Sequence, residues 1–437
     1  MGVPDSLIID ATVPPAKLKL GPEVFPGFGA FLRYRELGTP EEAYLALVGG
    51  NFMIDHANAD QFAFHWHEKG VPLSVFCGSL YQPMTSSALS HNTISWDVRP
   101  GGAKDPGKGQ PGNWYTDHNQ PVVDLGGVTP TLHYEIGWDK ESQKINETRG
   151  LATFATDCPD AALLESQVHI KALTETPTKP SNFEIAVAQQ ASPPITKLAK
   201  PFTWTRRLLY VKAPQAAGMN YVVVRDDFGG FAERTPNFSY WALADDVALQ
   251  GSLARFKGQL GVDTDMTVLV PAEPKLHPGT FTHDQCEGIV GAAYGKKYGK
   301  RFEEKTVLCR AEGRKDQGFL VVLFPYQADE DKPTVEPWAN GAGAKIAWKG
   351  ETHYVLLDVA EREVKADGVE AKASALVVKA KDAKNAALAL PAGGEAKFGK
   401  LKLRSDAGKP AAAQLVDGDK RTGEAKVLTM AAPAERQ

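Results

Sequence analysis

Residues 51 to 92 read NFMIDHANADQFAFHWHEKGVPLSVFCGSLYQPMTSSALSHN, and the rest of the chain is organised around them. The stretch carries four of the ten histidines, His56, His65, His67 and His91. It opens with a polar knot of Asp55, His56, Asn58, Asp60 and Gln61. Phe62, Phe64 and Trp66 then alternate with Ala63, His65 and His67. A period of two is strand patterning, because successive side chains leave opposite faces of a pleated strand. Lys69-Gly70 predicts a hairpin tip, and Pro72 to Phe76 the return strand. Gly78 ends that run, a polar loop follows, and Thr93 to Trp96 reads as a third strand just after His91-Asn92. The expectation is that two polar clusters, His56 to Gln61 and His91-Asn92, meet at one end of a small antiparallel sheet and form a site.

The flanking sequence repeats the strand signal. Phe28 to Arg35 and Ala43 to Val48 read as the first two strands. Further runs are Leu132 to Ile136, Leu151 to Thr156, Phe202 to Val211, Tyr221 to Asp226, Thr267 to Val270, Lys305 to Cys309 and Phe319 to Phe324. Residues 159 to 169 fit a short helix or a strand. The 41 glycines and 30 prolines are scattered, as turns between many short strands require. Residues 99 to 120 form a long Gly/Pro-rich loop in which Trp114, Tyr115 and His118 are suited to stacking on sugar rings. The pattern predicts an all-β protein, a large multi-sheet antiparallel β-sandwich with a smaller C-terminal β region. The expected divisions are a lead segment over 1–24, the β-sandwich over 25–330, and the smaller region over 331–437. The acidic QADEDKP run after Tyr326 would link the last two.

Bulk composition excludes several classes. The 437 residues carry a net charge of -4, and 43% are apolar. With a pI near 6.2, a generic nucleic-acid binder is not expected. No run approaches the ~20 apolar residues of a membrane helix, and no signal peptide is visible in the first ten residues. The four cysteines lack C-x-x-C spacing. Cys286 and Cys309 either pair in an oxidising compartment or stand as separate buried thiols. Asn146-Glu-Thr and Asn237-Phe-Ser match a glycosylation sequon, a pattern with many false matches.

At the central stretch the sequence resembles the C-terminal β-domain of the heparinase II/III group of polysaccharide lyases. The matching positions are Phe28-Gly29-Ala30-Phe31-Leu32-Arg33, His56-Ala-Asn58-Ala-Asp60-Gln61, Phe64, Gly70-Val-Pro-Leu73, Gly78, Tyr81 and His91-Asn92-Thr93. The later WTRRLLYV and YVVVRDDFGG runs are similar to the family's middle strands. The resemblance implies β-elimination on a uronic-acid-containing acidic polysaccharide, such as a glycosaminoglycan or alginate, in the periplasm or outside the cell. It implies that His56 faces the substrate carboxylate and that Tyr81 takes part in proton transfer. Asn58, Asp60, Gln61, His91 and Asn92 are the implied substrate-binding residues.

Two departures from the family bear on that expectation. The family's metal, often zinc, is held by a second histidine, an aspartate and the histidine of His-Asn. Here Asn58 and Phe76 stand at the first two positions and only His91 remains. One imidazole does not build a tetrahedral zinc site, so the metal site is expected to be lost and no cofactor is expected. The family's helical toroid precedes its β-domain, whereas barely two dozen residues precede the first strand here. The chain is then a fragment, or a partner supplies the helices, or the chain is a non-catalytic carbohydrate-binding or scaffolding module.

Each residue also has a structural reading. His65 and His67 share a strand face and suit metal, yet such pairs are more often solvated. Tyr81 fits a half-buried core position equally well, and Asp60 and Gln61 suit turn capping. Arg206, Arg207 and Arg225 suit anionic sugar, though strand-face arginines are usually solvated or paired.

Overall fold

The computed structural model describes residues 22–25, 29–36, 39–48, 62–75, 91–96, 151–170, 202–230, 235–282, 305–315, 317–382 and 384–428. Among these residues the only helical element is a 3₁₀ turn at Ala339–Gly341. The strands form sheets of five, twelve and nine members.

The three sheets stack as layers. Phe319–Gln327, FLVVLFPYQ, shows why the twelve-stranded sheet lies in the middle. Phe319, Val321 and Leu323 enter the core shared with the five-stranded sheet, which spans residues 23–72. Leu320, Val322 and Phe324 enter a second core, shared with Ile346, Val355, Leu357 and Val377 of the C-terminal sheet. A strand covered on both faces needs a continuous apolar run, and this one has it. The smaller C-terminal region therefore packs directly on the main sheets. Its outer side holds a third core around Trp338, Leu376 and Leu388. The strand Lys426–Val427 then returns to pair with Leu151–Asp157 of the middle sheet.

The central hairpin forms as its pattern predicts. In Phe64–Glu68 the side chains of Phe64, Trp66 and Glu68 are buried, and those of His65 and His67 are half-buried on the other face. Lys69 (φ 55) and Gly70 (φ 79) give the two-residue turn with positive φ at both positions, whose twist suits a hairpin. The return strand is shorter than expected, Val71–Pro72 alone. Leu73 N and Ser74 N both donate to Trp66 O, at 2.8 and 3.1 Å, which breaks the ladder. Val75 N then reaches Trp241 O at 3.0 Å and carries the chain toward the middle sheet.

Other expectations are corrected. The third strand forms as Ile94–Trp96, but it pairs with Pro236–Gln250 of the middle sheet, not with the hairpin. Of residues 159 to 169, for which helix and strand were both open, 161 to 169 are strand within Ala161–Ile170, and 159–160 form a bend before it. In the C-terminal sheet two long strands, Glu351–Ala366 and Val369–Ala380, join through an Asp367-Gly368 turn. Cys309 is a free buried thiol, as is Cys158, and burial pushes both up to about 12. Asn237, head of a sequon, is 1% exposed and accepts a hydrogen bond from Arg310 Nη1 at 2.8 Å, so it offers no glycan acceptor in the folded chain. Leu132 to Ile136 and the loop at 99 to 120 lie outside the described residues.

Candidate functional site

Arg206 on Phe202–Val211 and Asp226 on Tyr221–Gly229 are register partners across two antiparallel strands. Arg206 Nε donates to Asp226 Oδ1 at 2.7 Å, and Nη2 to Oδ2 at 2.8 Å. Trp204 Nε1 donates to the same carboxylate at 2.8 Å. The guanidinium lies 5.5 Å from the ring centres of both Trp204 and Phe238. Burying such a pair strips water from both charges, which is tolerable only when the remaining donors are also met.

Arg206 meets them with the backbone of the central stretch. Its Nη1 donates to Phe62 O at 2.7 Å and to Asn92 O at 3.0 Å. In sequence Phe62 follows Gln61 and Asn92 belongs to the His-Asn pair, so one side chain ties these two segments of the central stretch together. Phe62 has φ 58, in the left-handed region that non-glycine residues rarely adopt. Its ring sits edge-on to Trp204 at 4.6 Å, which fixes the residue despite that backbone.

Asn92 completes the junction. Its Nδ2 donates to Phe64 O at 3.2 Å and Val75 O at 2.8 Å, and its Oδ1 accepts from Trp241 N at 2.6 Å. Both amide hydrogens are thus used, and the residue is 1% exposed. The side chain clamps hairpin, loop and middle sheet together. His91, 3% exposed, is carried beside it. His56, Asn58, Asp60, Gln61, Phe76 and Tyr81 lie outside the described residues. Among the described residues no three His, Cys, Asp or Glu side chains group as a metal site.

The other arginines are paired within the protein. Arg207 Nε donates to Glu165 Oε2 at 2.6 Å, and its Nη1 to Asp358 O. Arg225 Nη2 stands 3.4 Å from Asp358 Oδ1. These pairings tie the middle sheet to the C-terminal sheet, so the anionic-sugar reading is replaced by a structural one.

A second polar cluster, at the far end of the hairpin, was not anticipated. Glu68 is wholly buried and accepts from Tyr210 Oη, Arg35 Nη2 and Lys69 N. Burial raises its pKa, against the lowering effects of Arg35 and Tyr210. Lys69 Nζ, whose pKa burial lowers, donates to Ala216 O at 2.6 Å. The signal was present: Glu68 shares the parity of Phe64 and Trp66, so a carboxylate faces the core. Engaged by three donors, it fastens the first sheet to the middle one.

The fold and its junction define an antiparallel, three-layered all-β protein. No family model matches the sequence, and no curated protein matches it. Among solved structures it is similar to the heparan sulfate lyase HepC from Pedobacter heparinus, at 11% identity and TM-score 0.44, over 79% of this chain and 44% of that one. It is also similar to the heparinase III BT4657 gene product, at 12% identity and TM-score 0.42, over 78% of this chain and 41% of that one. A further heparinase III structure aligns at 11% identity and TM-score 0.42, over 75% of this chain and 41% of that one. The chain spans less than half the length of each. Similarity at this level carries no statement about activity.

Proposed function

We propose that this chain is the β-sheet part of a polysaccharide lyase that cleaves a uronic-acid-containing polymer by β-elimination, acting in the periplasm or outside the cell. The observation that supports the reading is the double donation of Arg206 Nη1 to Phe62 O and Asn92 O, which holds Asn92 of the His-Asn pair against the residue that follows Gln61 in sequence. In the reaction a base takes the proton at C5 of the uronate. The C–H electron pair becomes the C4–C5 double bond, the C4–O bond breaks, and an acid protonates the leaving oxygen. His56 is assigned to the substrate carboxylate, where a positive or hydrogen-bonding group stabilises the charge that develops next to C5. Tyr81 is assigned to proton transfer, and Asn58, Asp60, Gln61 and His91 to binding. Asn92 is assigned to holding His91 in place. No metal enters the proposal, because Asn58 and Phe76 stand where the family's ligands would be.

The engagement of both Asn92 amide hydrogens favours a second reading, a non-catalytic carbohydrate-binding or scaffolding module. Formation of the ultraviolet-absorbing unsaturated uronate, tested with wild type and His56→Ala, separates the two. The lyase reading predicts product from the wild type and none from the variant.

A further inference from the structure

The C-terminal sheet contains a cavity of about 300 Å³, remote in sequence from the central stretch. It sits where two strands are deformed at the same level. Glu351–Ala366 and Val369–Ala380 pair in register as far as Leu357↔Ala375 and resume at Arg362↔Ala373. Asp358, Val359, Ala360 and Glu361 therefore stand against Ser374 alone. On its other edge Val369–Ala380 changes partner at the same place. Val369 to Lys372 pair with Gly394–Phe398, and Val377 to Ala380 pair with Ala386–Leu390. The bulge and the fork together open the cavity, and such bulges re-aim side chains.

The deformation is built in and held. Asp358 accepts from Arg362 Nε at 2.7 Å and from Val359 N at 2.7 Å, with Arg225 Nη2 at 3.4 Å. Gly394 has φ 111, and a Cβ on it would lie 2.5 Å from Lys372 O, so the floor is close-packed backbone. A site whose walls are fixed before binding loses less freedom on binding.

The lining chemistry names the ligand class. Glu361 and Lys372 form an ion pair at 3.4 Å. Glu395 lies in register between Lys372 and Arg404, and among the described residues neither Glu395 nor Arg404 is in an ion pair. Ser374 is a further lining residue and brings a hydroxyl. Two carboxylates and two cations leave no net charge to select an ion. They do offer alternating acceptors and donors, the complement of adjacent hydroxyls that both give and accept hydrogen bonds.

We infer that this cavity is a binding subsite for a neutral, hydroxyl-rich sugar residue, independent of the assignment made for His56. Glu395 and Arg404 provide the specificity-determining contacts. Both are exposed, so Glu395→Gln and Arg404→Ala remove contacts without opening a core. The full chain is titrated by NMR with cello-, xylo- and mannohexaose and with uronate hexamers of equal length. At least one neutral hexamer should bind in the millimolar range, and each variant should weaken it about tenfold. Thermal unfolding should be unchanged, and His56→Ala should bind like the wild type. The inference is overturned if no neutral hexamer binds, if both variants bind as well as the wild type, or if the uronate hexamers bind more tightly and lose that binding in the same variants.

Discussion

Arg206 and Asp226 form a two-pronged ion pair, 2.7 and 2.8 Å, with neither side chain exposed. The pair fixes the point from which Arg206 reaches Phe62 and Asn92. Removing Asp226 as Asp226→Ala would leave the guanidinium charge buried without compensation. Chemical denaturation should then show a loss of about 3–5 kcal/mol. A loss under about 1 kcal/mol would mean that the pair does not anchor the junction.

Asn92→Ala leaves Val75 O and Trp241 N without their side-chain partner, and leaves Phe64 O with only the longer 3.4 Å hydrogen bond from Ser74 Oγ. The expected cost is about 2–4 kcal/mol, read as a shift of the denaturant midpoint at constant slope. Asn92→Asp should cost more than Asn92→Ala, because it turns an acceptor toward two carbonyls. The reverse order would refute the clamp geometry.

His353 is wholly enclosed between the middle and C-terminal sheets. Its Nδ1 lies 2.9 Å from Tyr221 Oη, and its Nε2 lies 2.8 Å from Glu351 Oε1. Burial lowers its pKa, Lys379 acts in the same direction, and Glu351 and Asp160 pull it back up. The folded value therefore lies below the unfolded ~6.5, and the unfolded chain holds more protons in between. Stability from this group is complete above about pH 6.5 and is lost as the pH falls toward the folded value. His65, also lowered by burial, adds a loss of the same sign. Denaturation midpoints measured from pH 7.5 downward, at about half-unit steps, should fall less steeply in His353→Gln than in the wild type. Parallel curves would remove His353 from the account.

The C-terminal sheet and the middle sheet share one core through Val322, Phe324, Val355 and Leu357. A chain cut after residue 330 exposes that face and should be insoluble or bind hydrophobic dye. Leu357→Ala in the full chain should cost about 2–5 kcal/mol, in a single unfolding transition. Two separate transitions, with only one moved, would show that the sheets fold apart.

Much of this fold was legible because its strands bury one face or both. The alternation at Phe64 to His67 and the Lys69-Gly70 turn predicted a hairpin that forms, with a return strand of Val71–Pro72 alone. The run at Phe319 to Phe324 read as a strand, and the structure shows it buried on both faces. Pro236–Gln250 was missed because it starts among buried residues and ends exposed, so no single period runs through it. Leu253–Gly258 and Lys275–Thr282 were missed beside it, their charges and Pro278 masking the pattern. At the site, the meeting of His56 to Gln61 with His91-Asn92 rests on residues of which only His91 and Asn92 are described, and the anchoring of Asn92 by Arg206 was not anticipated. Arg206 looked like one more strand-face cation. Only the pairing of Phe202–Val211 with Tyr221–Gly229 places Asp226 opposite it, and that long-range register is not written in local sequence.

The most direct measurement is the rate of unsaturated uronate formation by the folded chain on a panel of acidic polysaccharides, followed by ultraviolet absorbance, with His56→Ala beside it. A lyase organised around the Arg206 anchor predicts rising absorbance on at least one uronate polymer and a flat trace from a His56→Ala variant of equal stability. A flat trace from the folded wild type on every polymer, or an equal rise from His56→Ala, would contradict it.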